Sequence, residues 1–295
     1  MKYLVLDIGG SAIKYAIMDE KANIIYKDKT VTPRDSINNF LKEISIIYNR
    51  FKHDVEGIAI SMPGMIDSRT GHAYTGGLLE YINNINIKEL LKPICDKKIT
   101  VENDGKCATK AEHWIGSLKD CKEAAVIVLG SGVGGGIIAN GSVIKGKHFS
   151  AGEFSFIKTS IIEHSRMENI WGYKNGTEFL IKGLSNKKNI DSTELDGVKF
   201  FNFANNGDED ALYILDEFCK SLCVQIFNLQ LTIDCEKIAI GGGISSQEIL
   251  FEYINKNLDE IYNSFPIKVP RANVVQAKYL NDSNLIGALY THLYE

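Results

Sequence analysis

The chain has 295 residues, 44% hydrophobic and 24% charged, a composition ordinary for a globular protein with room for two cored domains. Its formal net charge of −4 gives no basic excess, so nucleic acid is not an expected partner. No apolar run approaches the roughly 20 residues that span a bilayer, and the start lacks a basic-then-apolar signal segment; the expectation is a cytoplasmic chain with no membrane partner.

The run from Lys2 into Asp7 predicts a buried strand, with Tyr15 to Met18 as its hairpin partner. Between them Gly9, Gly10 and Ser11 form a turn whose missing β-carbons let backbone N–H groups approach an anion. A carboxylate at a strand end beside such a turn suits Mg²⁺ and nucleotide phosphates, whereas Gly-Gly alone also closes ordinary hairpins. Asn23 to Val31 predicts a third strand. Pro33-Arg34-Asp35-Ser36 leads into a helix with apolar positions at Ile37, Phe40, Leu41, Ile44 and Ile47. Glu56 to Met62 reads as a strand ended by Pro63-Gly64. Lys98 to Val101 reads as a short strand running into Glu102-Asn103-Asp104, with a helix then extending to about Ile115 and stopped by Gly116. Asp104 has two readings here. It N-caps that helix, or it takes a proton from a hydroxyl that Asn103 orients.

The opening pattern then recurs. Ala124 to Leu129 is a buried strand, Gly130 to Gly136 a glycine turn, and Ile137 to Gly141 a returning strand. Ala151-Gly152-Glu153 adds a carboxylate suited to paired sugar hydroxyls, although an isolated Glu is usually a solvated charge. Asp208 to Leu231 reads as a long helix. Lys237 to Ile240 is a strand entering Gly241-Gly242-Gly243, a turn that either rests a nucleoside on backbone or simply joins strand to helix. A helix from about Ser246 to Tyr262, a strand near Asn273 to Ala277 and a helix from about Ser283 to Leu293 complete the chain. Two strand–glycine turn–strand units imply two similar α/β halves with a cleft between them. The six cysteines are scattered. Cys219 and Cys223 sit four apart on a helix, but no second pair or nearby histidine completes a tetrahedral metal site, so they read as buried free thiols.

In this order, Asp7-Ile-Gly-Gly-Ser11, Val101-Glu-Asn-Asp104, Gly130-Ser-Gly-Val-Gly-Gly135, Ala151-Gly-Glu153 and Ile240-Gly-Gly-Gly243 resemble the ROK family of sugar kinases, within the actin/hexokinase-like ATPase superfamily. The resemblance implies two ribonuclease H-like α/β domains, 1–116 (completed by the C-terminal helix, 282–295) and 117–281. It implies ATP-dependent phosphorylation of the 6-hydroxyl of a hexose, with Asp104 as the base. Asn103, Glu153, Gly64 and Gly77 would bind the sugar. Asp7, Gly9, Gly10, Ser11, Lys14, Gly130, Ser131, Gly132, Gly134, Gly135, Gly242 and Gly243 would bind nucleotide, and Asp7 would hold Mg²⁺ directly or through water. A homodimer is also implied.

One departure is large. Most of these kinases follow Ala-Gly-Glu with Gly-His and a cysteine-rich zinc loop; here Ser155-Phe156 stands instead, and no cysteine follows until Cys219. No zinc site is expected, and packing through Phe154, Phe156 and Trp171 would hold the loop. Phe156 would turn a polar anchor into an apolar wall and relax the pocket toward substituted sugars. Gly76-Gly77, Ala-Gly-Glu-Phe154 and Arg166-Met-Glu-Asn169 resemble a zinc-less branch that includes β-glucoside kinases. The expected substrate is therefore glucose or a β-glucoside, with N-acetylmannosamine as the alternative. A sugar-sensing repressor needs a helix-turn-helix ahead of the first strand, which starts at Lys2; an actin-like protein needs neither Asn-Asp nor Ala-Gly-Glu.

Overall fold

The computed structural model describes residues 1–160 and 167–295, so Arg166 of the zinc-less pattern lies outside the described residues. Strand β1 (Lys2–Ile8) is buried throughout except at Lys2, since it lies between two neighbours in its sheet. It pairs antiparallel with β2 (Ala12–Asp19), setting Asp7 opposite Lys14. β3 (Ile24–Val31) forms the outer edge, where Lys27, Asp28 and Lys29 blunt it against further pairing. Helix α1 (Ile37–Phe51) starts at Ser36, whose hydroxyl accepts the Asn39 N–H at 3.3 Å, and buries Phe40, Ile44, Ile47 and Tyr48. β4 (Gly57–Met62) runs parallel to β1.

An insertion without a sequence signal follows: β5 (Ile66–Asp67), β6 (His72–Ala73), β7 (Ile85–Asn86) and helix α2 (Ile87–Leu91). β8 (Lys98–Asn103) runs two residues further than the sequence predicts and takes Glu102 and Asn103 into the sheet. Helix α3 (Asp104–Ile115) begins at the next residue.

The second sheet repeats the first. β9 (Ala124–Leu129) pairs antiparallel with β10 (Val133–Ala139), which carries β11 (Ser142–Val143) on its other side. Helices α4 (Trp171–Lys174), α5 (Thr177–Lys188), α6 (Gly197–Asn205) and α7 (Glu209–Ile233) precede β12 (Lys237–Gly241). α8 (Glu248–Ser264), β13 (Val274–Gln276) and α9 (Ser283–Tyr294) end the chain. The two strand orders, β3-β2-β1-β4-β8 and β11-β10-β9-β12-β13, are the same pattern. No helix among the described residues is long and apolar enough to cross a membrane.

Two compact units result. The first comprises Met1–Ile115, Val143–Ala151 and Asp282–Glu295, and the second Gly116–Ser142 and Gly152–Asn281. Each has its own apolar core, centred on residues such as Leu6, Phe40 and Ile60 in the first and Ile127, Phe218 and Ile240 in the second. The second core holds Cys219 and Cys223, and burial raises both thiols, Cys223 to about 12, so they stay protonated.

His292, buried on α9, sets its Nδ1 2.9 Å from Thr100 Oγ1. Burial, helped by the Lys98 charge, lowers its pKa to about 4. The unfolded chain takes this proton near pH 6.5, whereas the folded chain resists it until about pH 4. Stability from this group is therefore complete above pH 6.5 and lost as pH falls toward 4. Between pH 6.5 and 5 the loss should reach at most about 2 kcal/mol. Urea midpoints of wild type and His292→Asn at both pH values check this: an equal pH dependence in the two would count against it.

Candidate active site

The sheet delivers Asn103 to the end of β8 and Asp104 to the first turn of α3. Asn103 is buried, and its Nδ2 donates to the Gly64 carbonyl and to Asp104 Oδ1, both at 3.0 Å. Its Oδ1 accepts the Lys106 N–H at 3.0 Å. Asn103, not Asp104, thus supplies the cap at the helix start, which corrects the bland reading of Asp104. Asp104 Oδ1 also accepts the Gly105 N–H at 2.7 Å. The carboxylate is half-buried, aimed by Asn103, and lies in the first turn of a twelve-residue helix, at the positive end of its dipole. Gly64 and Gly77, both beside Pro63 in chain or space, fall around this corner.

Asp7 lies at the matching end of β1, in register with Ser61 of β4. Its Oδ1 accepts from Ser61 Oγ at 3.2 Å and from Asn284 Nδ2 at 3.0 Å, and Lys14 Nζ stands 3.4 Å from Oδ2. Only 5% of Asp7 is exposed, so its charge is fixed in place by these donors. The following turn closes through Gly9 N–H to the Ala12 carbonyl at 3.0 Å. Thr32 Oγ1 donates to the Gly9 carbonyl at 2.7 Å, Arg34 Nε to the Gly10 carbonyl, and Arg34 Nη2 to Ser11 Oγ at 3.2 Å. Sequence reasoning missed Ser61, Asn284, Thr32 and Arg34. Only Ser61 had a signal, as the strand residue just before Met62-Pro63.

In the second unit the glycine turn is shorter than the sequence predicts. Only Gly130, Ser131 and Gly132 form it, with Gly130 N–H donating to the Gly132 carbonyl at 3.0 Å; Gly134, Gly135 and Gly136 belong to β10. Packing accounts for the bare backbone at Gly135, where a β-carbon would meet the Val126 carbonyl at 2.1 Å and the Phe154 ring at 2.8 Å. The turn is braced from one side by Thr177 N–H donating to the Gly130 carbonyl at 2.8 Å. From the other, Ser155 Oγ accepts the Val133 N–H at 2.9 Å and donates to its carbonyl at 3.0 Å. The serine that replaces the family's glycine has become a strut. Gly242 (φ +94°) adjoins the same place: a β-carbon there would lie 2.1 Å from the Leu129 carbonyl. Gly130 and Gly242 are thus brought together. Beside Ser131 opens a cavity of about 230 Å³ walled by Tyr173, Glu178, Phe179 and Lys182.

Glu153 is half-buried at the head of a short 3-10 turn over Phe154–Phe156. Phe154 and Trp171 hold this loop, with buried rings 5.3 Å apart. Phe156 does not share in that packing, being 63% exposed. Among the described residues no three His, Cys, Asp or Glu side chains gather as a metal cluster.

The sequence profile of the ROK family matches residues 3–293. The chain is 29% identical to a β-glucoside kinase of Listeria monocytogenes, over 100% of its own length and 98% of that protein. Its fold matches the Lmo2764 protein of Listeria monocytogenes, described as a proposed N-acetylmannosamine kinase, with TM-score 0.90 at 27% identity over 99% of both chains. A glucokinase from Streptomyces griseus, solved with glucose and AMPPNP, has the same fold (TM-score 0.86, 21% identity, 98% of both chains). With duplicated actin-like sheets and a family profile that runs nearly end to end, the chain belongs to the ROK family.

Proposed function

We propose that this protein is an ATP-dependent hexose kinase that phosphorylates the 6-hydroxyl of glucose or a β-glucoside. The observation that carries this reading is the Asn103–Asp104 corner, where a buried amide aims an ionisable carboxylate at the start of a helix. A hydroxyl held by Asn103 can pass its proton to Asp104 as its oxygen attacks a phosphoryl group. Glu153, Gly64 and Gly77 supply further polar contacts to the sugar ring. With the Gly9 and Gly130 N–H groups closing the two turns, those of Gly10, Ser11, Ser131 and Gly132 suit phosphate oxygens. Tyr173 and Phe179 offer the cavity beside Ser131 to a nucleobase.

The residues present also fit Mg²⁺. This cation needs only one or two carboxylates when phosphates and water complete its shell, and Asp7 is a fixed carboxylate with lone pairs to spare. Asp7 would hold it through water, and the ion would screen phosphate charge. Asp104, Asn103 and Glu153 carry the remaining work: binding and orienting the sugar and accepting one proton. A cytoplasmic homodimer completes the reading.

The named relatives support β-glucosides first and N-acetylmannosamine second. ADP release should be measured with glucose, cellobiose and N-acetylmannosamine. At least one of the substituted sugars should show kcat/KM within about tenfold of glucose, because Phe156 offers no hydrogen bond where the family pattern has histidine. Strict glucose specificity would refute that relaxation; no turnover with any sugar would refute the kinase.

A further inference from the structure

Behind the Asn103–Asp104 corner lies a partly buried ion network that the proposed chemistry does not use. Glu102 is fully buried, and its Oε1 accepts the Asn103 N–H at 2.9 Å. Its Oε2 stands 2.7 Å from Lys110 Nζ and 3.3 Å from Lys145 Nζ. The same two lysines meet Glu295, Lys110 at 2.7 Å and Lys145 at 2.6 Å. Burial alone would raise Glu102, but Lys110 and Lys145 hold it below the usual carboxylate range. Two carboxylates and two ammoniums balance, with Lys145 and Glu295 part-exposed, yet a buried pair such as Glu102–Lys110 seldom outdoes an apolar core in stability. Their retention here calls for another role.

Lys145 points to that role. It belongs to Val143–Ala151, a segment that packs with the first unit although the residues before and after it pack with the second. Lys145 also donates to Ser68 Oγ at 2.7 Å. A second lysine grips the same segment: Lys106, fully buried on α3, donates to the Phe149 carbonyl at 3.0 Å. Phe149 has φ +60°, a conformation costly for an aromatic residue. It is kept there by Lys106, by the Tyr74 ring stacked at 5.9 Å and by the Arg69 guanidinium 5.6 Å above its ring. The segment ends two residues before Glu153. A strained backbone held by one buried and one half-buried lysine, just ahead of Glu153, is a clamp.

We infer that Lys106 and Lys145 are positioning residues that anchor the backbone leading into Glu153 to the strand and helix presenting Asn103 and Asp104. The inference rests on the reading of Glu153 as a sugar ligand. Removing either ammonium frees the segment without touching sugar, nucleotide or base, so sugar affinity should suffer and nucleotide affinity should not.

Three variants test it: Lys145→Met, Lys106→Met and Lys145→Arg. In both Met variants the sugar KM should rise about tenfold while the ATP KM stays within twofold. Lys145→Arg should restore the sugar KM to within about threefold of wild type, since a guanidinium can bridge both carboxylates. Hydrogen exchange gives a readout independent of turnover: amides 145–153 should exchange about tenfold faster in the Met variants, with α7 unchanged. Unaltered exchange in that segment overturns the inference, as does an equal rise in both KM values, which marks general loosening. Wild-type protein that phosphorylates no hexose would instead refute the kinase reading, and the exchange experiment would still decide whether the clamp exists.

Discussion

Replacing Asp104 with Asn is expected to lower kcat by about 10²-fold or more while leaving the ATP KM within twofold. The amide keeps the shape of the carboxylate but accepts no proton from the attacking hydroxyl. Folding should survive for a reason visible in the geometry. The cap of α3 comes from Asn103 Oδ1 to the Lys106 N–H, and an Asn at 104 can still accept the Gly105 N–H through its own Oδ1. What it loses is charge at the helix start, an effect of about 0.3–1 kcal/mol. A thermal midpoint near wild type together with collapsed turnover fits the base. Near-normal kcat in Asp104→Asn would end that assignment, whatever the sugar.

The sheet strands and the duplicated order were legible because apolar runs next to glycine turns leave a strong pattern, and the pattern occurs twice. β8 outran its reading because Glu102 and Asn103 look polar, and only their buried partners, Lys110 and Gly64, explain their place in a sheet. The glycine turn after β9 was overdrawn. Consecutive glycines carry no side-chain alternation, so nothing in Gly134-Gly135-Gly136 separates a turn from a strand that another backbone approaches closely. Strands of two residues, β5 to β7, are too short to show a period at all. α5 and α6 are longer, yet their apolar faces gave no reading in advance.

The site was legible in part for the same physical reason. Motif residues lie next to each other in sequence, but the side chains that aim them do not: Asn284 reaches Asp7 from 277 positions away. Nothing in the sequence assigns a role to Lys106 or Lys110, and only folding shows them fully buried against a carbonyl and two carboxylates. Phe156 was expected in the loop's packing because aromatic residues favour burial; Phe154 and Trp171 fill that space without it.

Asp7→Asn should lower kcat/KM by about 10²-fold and raise the Mg²⁺ concentration for half-maximal turnover about tenfold. The substitution is close to isosteric. Its Oδ1 can still accept from Ser61 and Asn284, so the strand end keeps its hydrogen bonds. The Lys14 pair is lost, but at 3.4 Å to a partly exposed ammonium it contributes at most about 1 kcal/mol. The change therefore falls on charge rather than on fold. An amide at this position attracts a hydrated divalent cation far less than a carboxylate, while the substitution leaves the backbone N–H groups of Gly10 and Ser11 as they were. Ser61→Ala supplies the contrast, since it removes one hydrogen bond from Asp7 and leaves the charge; its Mg²⁺ requirement should move by less than threefold. If Asp7→Asn lost activity with no change in its Mg²⁺ requirement, Asp7 would act on the phosphates or on Lys14 rather than on the metal.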